Sequence, residues 1–253
     1  LASASSERWS RRRSQRAAPV VVVRQNAPMA LPVVLVHGFG TSFELTWVAN
    51  GWVDLLGDDG REAIGVDLLG QGPGPKAHDV AAYDDLGAPV VEALPPDGQV
   101  DAIGFSLGAK TLLKVAAAHP DRFRSLIVAG VGANLFRSDD MSAVVQAVRS
   151  GEDGDIPALG YFSGLAQLPG NDREALAACM TNGGGRVSSE ELAAISCPVL
   201  VVLGEHDFVQ PADRLIDSLA NARLVTLPRT DHARTPKSFE FIDAALDFLR
   251  VRG

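Results

Sequence analysis

Val100-Asp101-Ala102-Ile103-Gly104-Phe105-Ser106-Leu107-Gly108-Ala109-Lys110-Thr111, continuing as LLKVAAA to Ala118, is the most informative stretch of this 253-residue chain. Asp101–Phe105 reads as a short buried strand. Leu107–Ala118 is rich in Ala and Leu and reads as a helix. Between them lies Gly104-x-Ser106-x-Gly108. A strand that turns directly into a helix forces the corner residue into a strained conformation. Flanking glycines let strand and helix pass closely, so a serine there is held out at the strand end. The same residues, GFSLGAKT, are one position away from a phosphate-binding loop, G-x-x-x-x-G-K-[ST]. That reading fails at Ala109, where a second glycine is needed for the backbone to wrap phosphates. With that reading set aside, Lys110 is most simply a solvated helix residue.

Outward from this stretch the pattern alternates. Strands are expected at Val33–Val36, Ala63–Val66, Leu126–Ala129, Val199–Leu203 and Arg223–Leu227. Helical spacing covers Glu44–Leu56, Val80–Leu94, Ala212–Ala220 and Ser238–Arg250. Continuous apolar strands separated by helices imply a mostly parallel sheet covered on both faces. Sites in such sheets lie beyond the carboxyl ends of the strands. Residues 134–195 break the alternation and show no convincing strand. They hold a helical stretch at Met141–Val148, a Tyr161-Phe162 pair, three glycines at 183–185 and a capping box at Ser188. A segment of that length is expected to fold over the strand ends as a small helical lid. One domain is expected over residues 29–253.

Composition narrows the function. The chain is 46% hydrophobic and carries a net charge of −8. Five arginines and one glutamate fall in residues 1–16, so the remainder carries −12. Residues 1–28 are expected to be a disordered leader, dispensable for activity. An acidic body argues against nucleic-acid binding. No apolar run reaches the ~18 residues of a membrane span. Cys179 and Cys197 are expected to be free thiols, and no Cys/His cluster has metal-ligand spacing. With no export signal, a cytoplasmic protein without metal or cofactor is expected, acting on a small-molecule substrate.

A nucleophilic serine needs a base, an acid to orient it, and donors for an oxyanion. Each has a candidate after a strand. His37-Gly38-Phe39-Gly40 follows the first strand and offers backbone N–H groups. Asp207 follows Val199–Leu203 in GEHD, and His232 follows the last strand in TDHA. Rivals stand beside them: His206 as base, Glu205 and Asp231 as acids, His37 as a turn residue or a participant. Phe39, Trp47, Phe105, Phe136, Tyr161, Phe162, Phe208 and Val209 are expected to line an apolar substrate site.

The pieces HGFG, GVDLLGQG, GFSLGA, AAHPDRF, PVLVVLGEHD and the late DH, in that order, resemble the α/β-hydrolase superfamily over about residues 30–252. The resemblance implies an α/β-hydrolase fold with Ser106 as nucleophile, His232 as general base and Asp207 as orienting acid. It implies backbone N–H groups of Phe39 and Leu107 as the oxyanion hole. Gln71 departs from the family, where many members have His. A serine at the elbow argues against the dehalogenase and epoxide hydrolase branches, which use Asp there. The expected activity is a serine carboxylesterase for small to medium uncharged apolar esters. Carbon–carbon hydrolase, lactonase, thioesterase and hydroxynitrile lyase chemistries share these motifs. A non-catalytic or nucleotide-binding role is the remaining alternative.

Overall fold

The computed structural model describes residues 30–137, 140–152 and 157–251. The arginine-rich segment lies outside them. Among the described residues six strands form one sheet: β1 (Val33–Val36), β2 (Ala63–Val66), β3 (Val100–Phe105), β4 (Phe123–Ala129), β5 (Val199–Gly204) and β6 (Ala222–Leu227). Their spatial order is β2-β1-β3-β4-β5-β6, and every pairing is parallel. After β1 the chain moves outward to β2, then returns to β3 on the other side of β1. That reversal opens a crevice at the carboxyl ends of β1 and β3, where open α/β sheets take their ligands.

The strands are apolar throughout because both faces are covered. Val34, Val36, Ala102, Leu126, Val128, Val199 and Val201 join one buried cluster. Their neighbours Val33, Leu35, Ile103, Ile127, Leu200 and Val202 join a second on the opposite face. The period-two alternation of the strand is thus split between two cores rather than between core and water. Trp47, Trp52 and Phe241 fill the second core, with Trp52 edge-on to Trp47 at 5.2 Å.

Helices α1 (Trp52–Asp58), α2 (Ala88–Ala93) and α3 (Leu107–Ala118) connect the first four strands. α3 buries Gly108, Ala109, Leu112, Leu113, Val115 and Ala116, a stripe with three- and four-residue spacing whose small members lie closest to the sheet. α4 (Ser142–Ser150), α5 (Pro157–Ala166), α6 (Arg173–Asn182) and α7 (Ser189–Ala193) lie between β4 and β5. The described residues of that segment contain no strand, and Ser188 opens α7 with the expected capping box. α8 (Asp213–Ser218) and α9 (Phe239–Val251) complete the fold.

Two expected helices are broken. Glu44–Val48 is a single wide turn, and α1 restarts after Gly51, which sits at φ +78°. Val80–Tyr83 is a 3₁₀ turn separated from α2 by a bend in which the Asp85 carboxylate accepts the Gly87 and Ala88 N–H groups at 2.9 and 3.1 Å. In both places local turn chemistry outweighs the helical spacing of the apolar residues.

At the amino end of the sheet Asp101 is fully buried. Its carboxylate accepts from Arg61 Nη1 at 2.9 Å, Arg124 Nε at 2.9 Å and Ser125 Oγ at 2.6 Å. Arg61 also donates to the Leu249 carbonyl near the end of α9 at 2.9 Å. A buried carboxylate needs such partners. This network holds the sheet at the end away from the crevice.

Candidate active site

Ser106 stands at the corner between β3 and α3 with φ 51° and ψ −112°. An L-residue occupies that region only when its surroundings hold it there. The Ser106 N–H donates to the Ala129 carbonyl at 2.8 Å, and its carbonyl accepts from Lys110 N–H at 3.0 Å. The flanking glycines have a steric reason. A Cβ at Gly104 would lie 2.7 Å from the Ala109 backbone, and one at Gly108 would collide with the Val36 and His37 carbonyls. Only hydrogen fits where the helix crosses two strands.

His232 comes from the loop after β6. Its Nε2 lies 3.0 Å from Ser106 Oγ, and its Nδ1 lies 2.9 Å from both Asp207 carboxylate oxygens. Asp207, after β5, is an acceptor with its side chain wholly buried, so Nδ1 carries the proton toward it. Nε2 is then left to accept from the serine hydroxyl. The Val209 N–H also donates to Asp207 Oδ1, at 3.1 Å. Three side chains from three strand ends thus form one hydrogen-bonded chain.

The rivals point elsewhere. His206 is exposed, and Glu205 accepts the Arg229 N–H at 2.8 Å. Asp231 accepts the Arg234 N–H at 2.9 Å. His37 is fully buried, and burial pushes its pKa down. As a neutral ring it donates from Nδ1 to the Gly38 carbonyl at 2.8 Å and accepts the Leu68 N–H on Nε2 at 3.1 Å. It ties the end of β1 to the loop after β2.

The Gly38 carbonyl also accepts from Thr41 Oγ1 at 2.8 Å. That carbonyl and the Phe39 N–H belong to one trans peptide, so holding the oxygen aims the N–H the opposite way. Among the described residues neither the Phe39 nor the Leu107 N–H donates to an acceptor. Leu107 opens α3, where the first N–H groups are unpaired by construction and the helix dipole favours negative charge. A Cβ at Gly38 would sit 3.5 Å from Ser106 Cβ, so the two loops adjoin.

Five of the eight expected lining residues form one aromatic set around His232. Phe208 and Phe105 lie tilted against its ring at 4.5 and 4.9 Å, and Tyr161 meets it edge-on at 5.8 Å. Phe162 joins Tyr161 at 5.2 Å and Phe39 at 5.8 Å. Tyr161 is pushed well above its usual pKa by burial and by the Asp207 and Asp231 carboxylates, so its phenol stays neutral. Trp47, Phe136 and Val209 are placed differently. Trp47 is fully buried in the second core. Phe136 packs on the first core under the Arg214 guanidinium, 4.1 Å from its ring centre. The Val209 side chain is in the same core, and only its N–H serves the site. Each follows a strand in sequence, but a side chain at a strand end turns toward core or crevice according to packing that the sequence pattern does not carry.

Two polar residues hold the Phe39 loop, and sequence reasoning gave neither of them a role there. Gln71, fully buried, accepts the Gly40 N–H on Oε1 at 2.6 Å. Asn171, in the turn between α5 and α6, donates to the Gly40 carbonyl at 2.7 Å. Gln71 is visible as a departure from the family pattern. Asn171 carries no local signal. Lys110 turns away from the loop and donates to the Gly183 carbonyl at 2.5 Å, which removes it from the phosphate-loop role.

The model of the alpha/beta hydrolase family matches residues 33–244. The chain belongs to that family. Its mouse relative named serine hydrolase BPHL is 28% identical over 143 residues, covering 53% of this chain and 48% of the relative. The pimeloyl-[acyl-carrier protein] methyl ester esterase of Neisseria meningitidis is 27% identical over 252 residues, covering 83% and 89%. Among solved structures, a thermophilic esterase from Thermogutta terrifontis is 24% identical with TM-score 0.68, covering 88% of this chain and 91% of that one. A serine hydrolase involved in carbazole degradation is 25% identical with TM-score 0.66, covering 88% and 92%. This member of the alpha/beta hydrolase family is a hydrolase. Among the described residues no helix is long and apolar enough to cross a membrane.

Proposed function

We propose that this hydrolase is a serine carboxylesterase that works through an acyl-enzyme on Ser106. The observation that carries the reading is the hydrogen-bonded chain Ser106–His232–Asp207 at 3.0 and 2.9 Å. His232 Nε2 takes the hydroxyl proton as Ser106 Oγ attacks the ester carbonyl carbon. Asp207 stabilises the imidazolium and fixes its tautomer. The Phe39 and Leu107 N–H groups receive the oxyanion. His232 then passes the proton to the leaving alcohol, and the acyl-enzyme forms. A water, deprotonated by the same ring, hydrolyses it and regenerates the serine. Each oxyanion donor is worth on the order of 10²–10³ in rate, which makes the aim of the Phe39 peptide as important as the triad.

The aromatic set around His232 supports an uncharged, apolar substrate of small to medium size. Helices α4 to α7 act as the lid, since α5 carries Tyr161 and Phe162 to the site. The relative named as a methyl ester esterase supports ester cleavage. A fluorophosphonate probe should label the intact chain once and fail to label Ser106→Ala. A panel of p-nitrophenyl esters should show turnover that falls as the acyl chain lengthens. Labelling without ester turnover would move the reading to another bond; no labelling of folded protein would end it.

A further inference from the structure

Gly40 lies at the tip of the loop that presents the Phe39 N–H. It sits at φ +66°, and both of its backbone groups are held by side chains from distant segments. Gln71 Oε1 accepts its N–H at 2.6 Å, and Gln71 is itself steadied through Nε2 on the Leu69 carbonyl at 3.3 Å. Asn171 Nδ2 donates to its carbonyl at 2.7 Å. The same Nδ2 donates to the Leu165 carbonyl near the end of α5 at 2.9 Å, and Asn171 Oδ1 accepts the Gly72 N–H at 3.2 Å. One side-chain amide therefore joins three pieces: the loop after β1, the loop after β2, and the turn between α5 and α6. A Cβ at Gly40 would come 2.8 Å from Leu165 Cβ, so α5 seats directly on the loop.

We infer that Asn171 is a positioning residue that makes the aim of the Phe39 N–H depend on the seating of the α5–α6 segment. The two peptides that follow Phe39 meet at Gly40, and among the described residues the carbonyl of the second is held from outside only by this amide. When α5 and α6 are seated, the loop is locked and the proposed oxyanion donor is in place. When they lift, Asn171 leaves with them, and Gly40 keeps Gln71 alone. Closure over the substrate thereby completes the site that stabilises the transition state. The geometry separates two tasks: α5 brings Tyr161 and Phe162 to the substrate, whereas Asn171 acts through backbone. A fault in the second lowers transition-state stabilisation without weakening substrate binding.

The inference rests on the Ser106 esterase reading, and the test keeps the two apart. Asn171→Ala and the isosteric Asn171→Asp are compared with the parent chain in p-nitrophenyl ester turnover. A trifluoromethyl ketone probe, which forms a tetrahedral oxyanion on the serine, reports transition-state affinity, and its methyl ketone counterpart reports ground-state binding. The aspartate offers no donor to either carbonyl, so it serves if the alanine variant does not fold. Expected are a fall in kcat of about 10- to 100-fold, KM within about threefold, trifluoromethyl ketone affinity weakened in proportion to kcat/KM, and methyl ketone affinity unchanged. A folded variant with kcat and trifluoromethyl ketone affinity within twofold of the parent overturns the positioning role. So does parallel weakening of both ketones, which marks a general loss of the pocket. A parent chain that neither takes the fluorophosphonate nor turns over esters overturns the esterase reading itself.

Discussion

Gly108→Ala should destabilise the fold and slow the enzyme together, although helix propensity predicts the opposite sign. Gly108 is the second residue of α3, and alanine in an ordinary helix gains up to about 1 kcal/mol over glycine. Here the added methyl would meet the Val36 carbonyl and lie 2.5 Å from the His37 oxygen. Both are backbone atoms at the end of β1, packed against the Phe39 loop, and neither can rotate away. The helix must lift by at least about half an ångström, and such overpacking costs about 1–3 kcal/mol. With two backbone contacts the expectation is about 2–3 kcal/mol, a fall in Tm of roughly 5–10 °C for a domain of this size. The same displacement moves Ser106 and the Leu107 N–H relative to the Phe39 N–H. Misplacement on the ångström scale costs about 10² in rate, so kcat should fall by about that factor while KM changes little. Thermal unfolding and ester turnover measure the two effects. Gly164→Ala is the internal control. Gly164 lies within α5, and no atom comes within 4 Å of the place its added methyl would take. There the propensity argument should hold, raising stability by about 0.5–1 kcal/mol. If Gly108→Ala melts within a degree of the parent and keeps kcat within twofold, the close crossing of α3 over β1 does not position Ser106.

Asp101→Ala should cost about 3 kcal/mol or more in urea unfolding, because it leaves the buried Arg61 guanidinium and its neighbour Arg124 without their shared carboxylate. Its kcat below the melting range should stay within twofold, since the network lies at the opposite end of the sheet from Ser106. Lys110 is pushed down to about 8 by burial and by Lys114. Between pH 8 and about 10 the unfolded chain holds a proton there that the folded chain has lost, so the parent gains stability as pH rises. The stability of Lys110→Met relative to the parent should therefore be most favourable below pH 8 and decline toward pH 10, read by urea unfolding across that range; a flat difference refutes the assignment. Burial raises Cys179 to about 12 and Cys197 to about 11. Neither should react with a thiol reagent in the native protein at pH 8, and both should react after unfolding in denaturant.

Much of the fold was legible because its signals are local. Each strand is a short apolar run, and all six expected strands occur, with ends shifted by a few residues at most. α3 spans the same residues as the helical pattern, Leu107–Ala118. The helices read across Gly51 and Asp85 were too long, since one glycine at positive φ or one aspartate capping two N–H groups stops a helix that apolar spacing would continue. Ser106, Asp207 and His232 stood out because each follows a strand, and the structure places them in one hydrogen-bonded chain. Trp47, Phe136 and Val209 follow the same sequence logic and yet pack into the cores.

The parallel sheet, the glycine-flanked turn at Ser106 and the order of Ser, Asp and His along the chain were all readable from the residues alone. These depend on side-chain period and on φ/ψ limits within a few residues, which sequence carries directly. Tertiary structure decided which histidine meets the serine, which aromatics surround it, and which side chains hold the backbone of the Phe39 loop. His206 and His232 differ little in local context, but one ring is exposed and the other is buried on Asp207. Asn171 lies 131 residues from Gly40 in the chain and 2.7 Å from it in space. No local pattern encodes that contact, because it exists only once the sheet has set the loop and the α5–α6 turn has come down onto it.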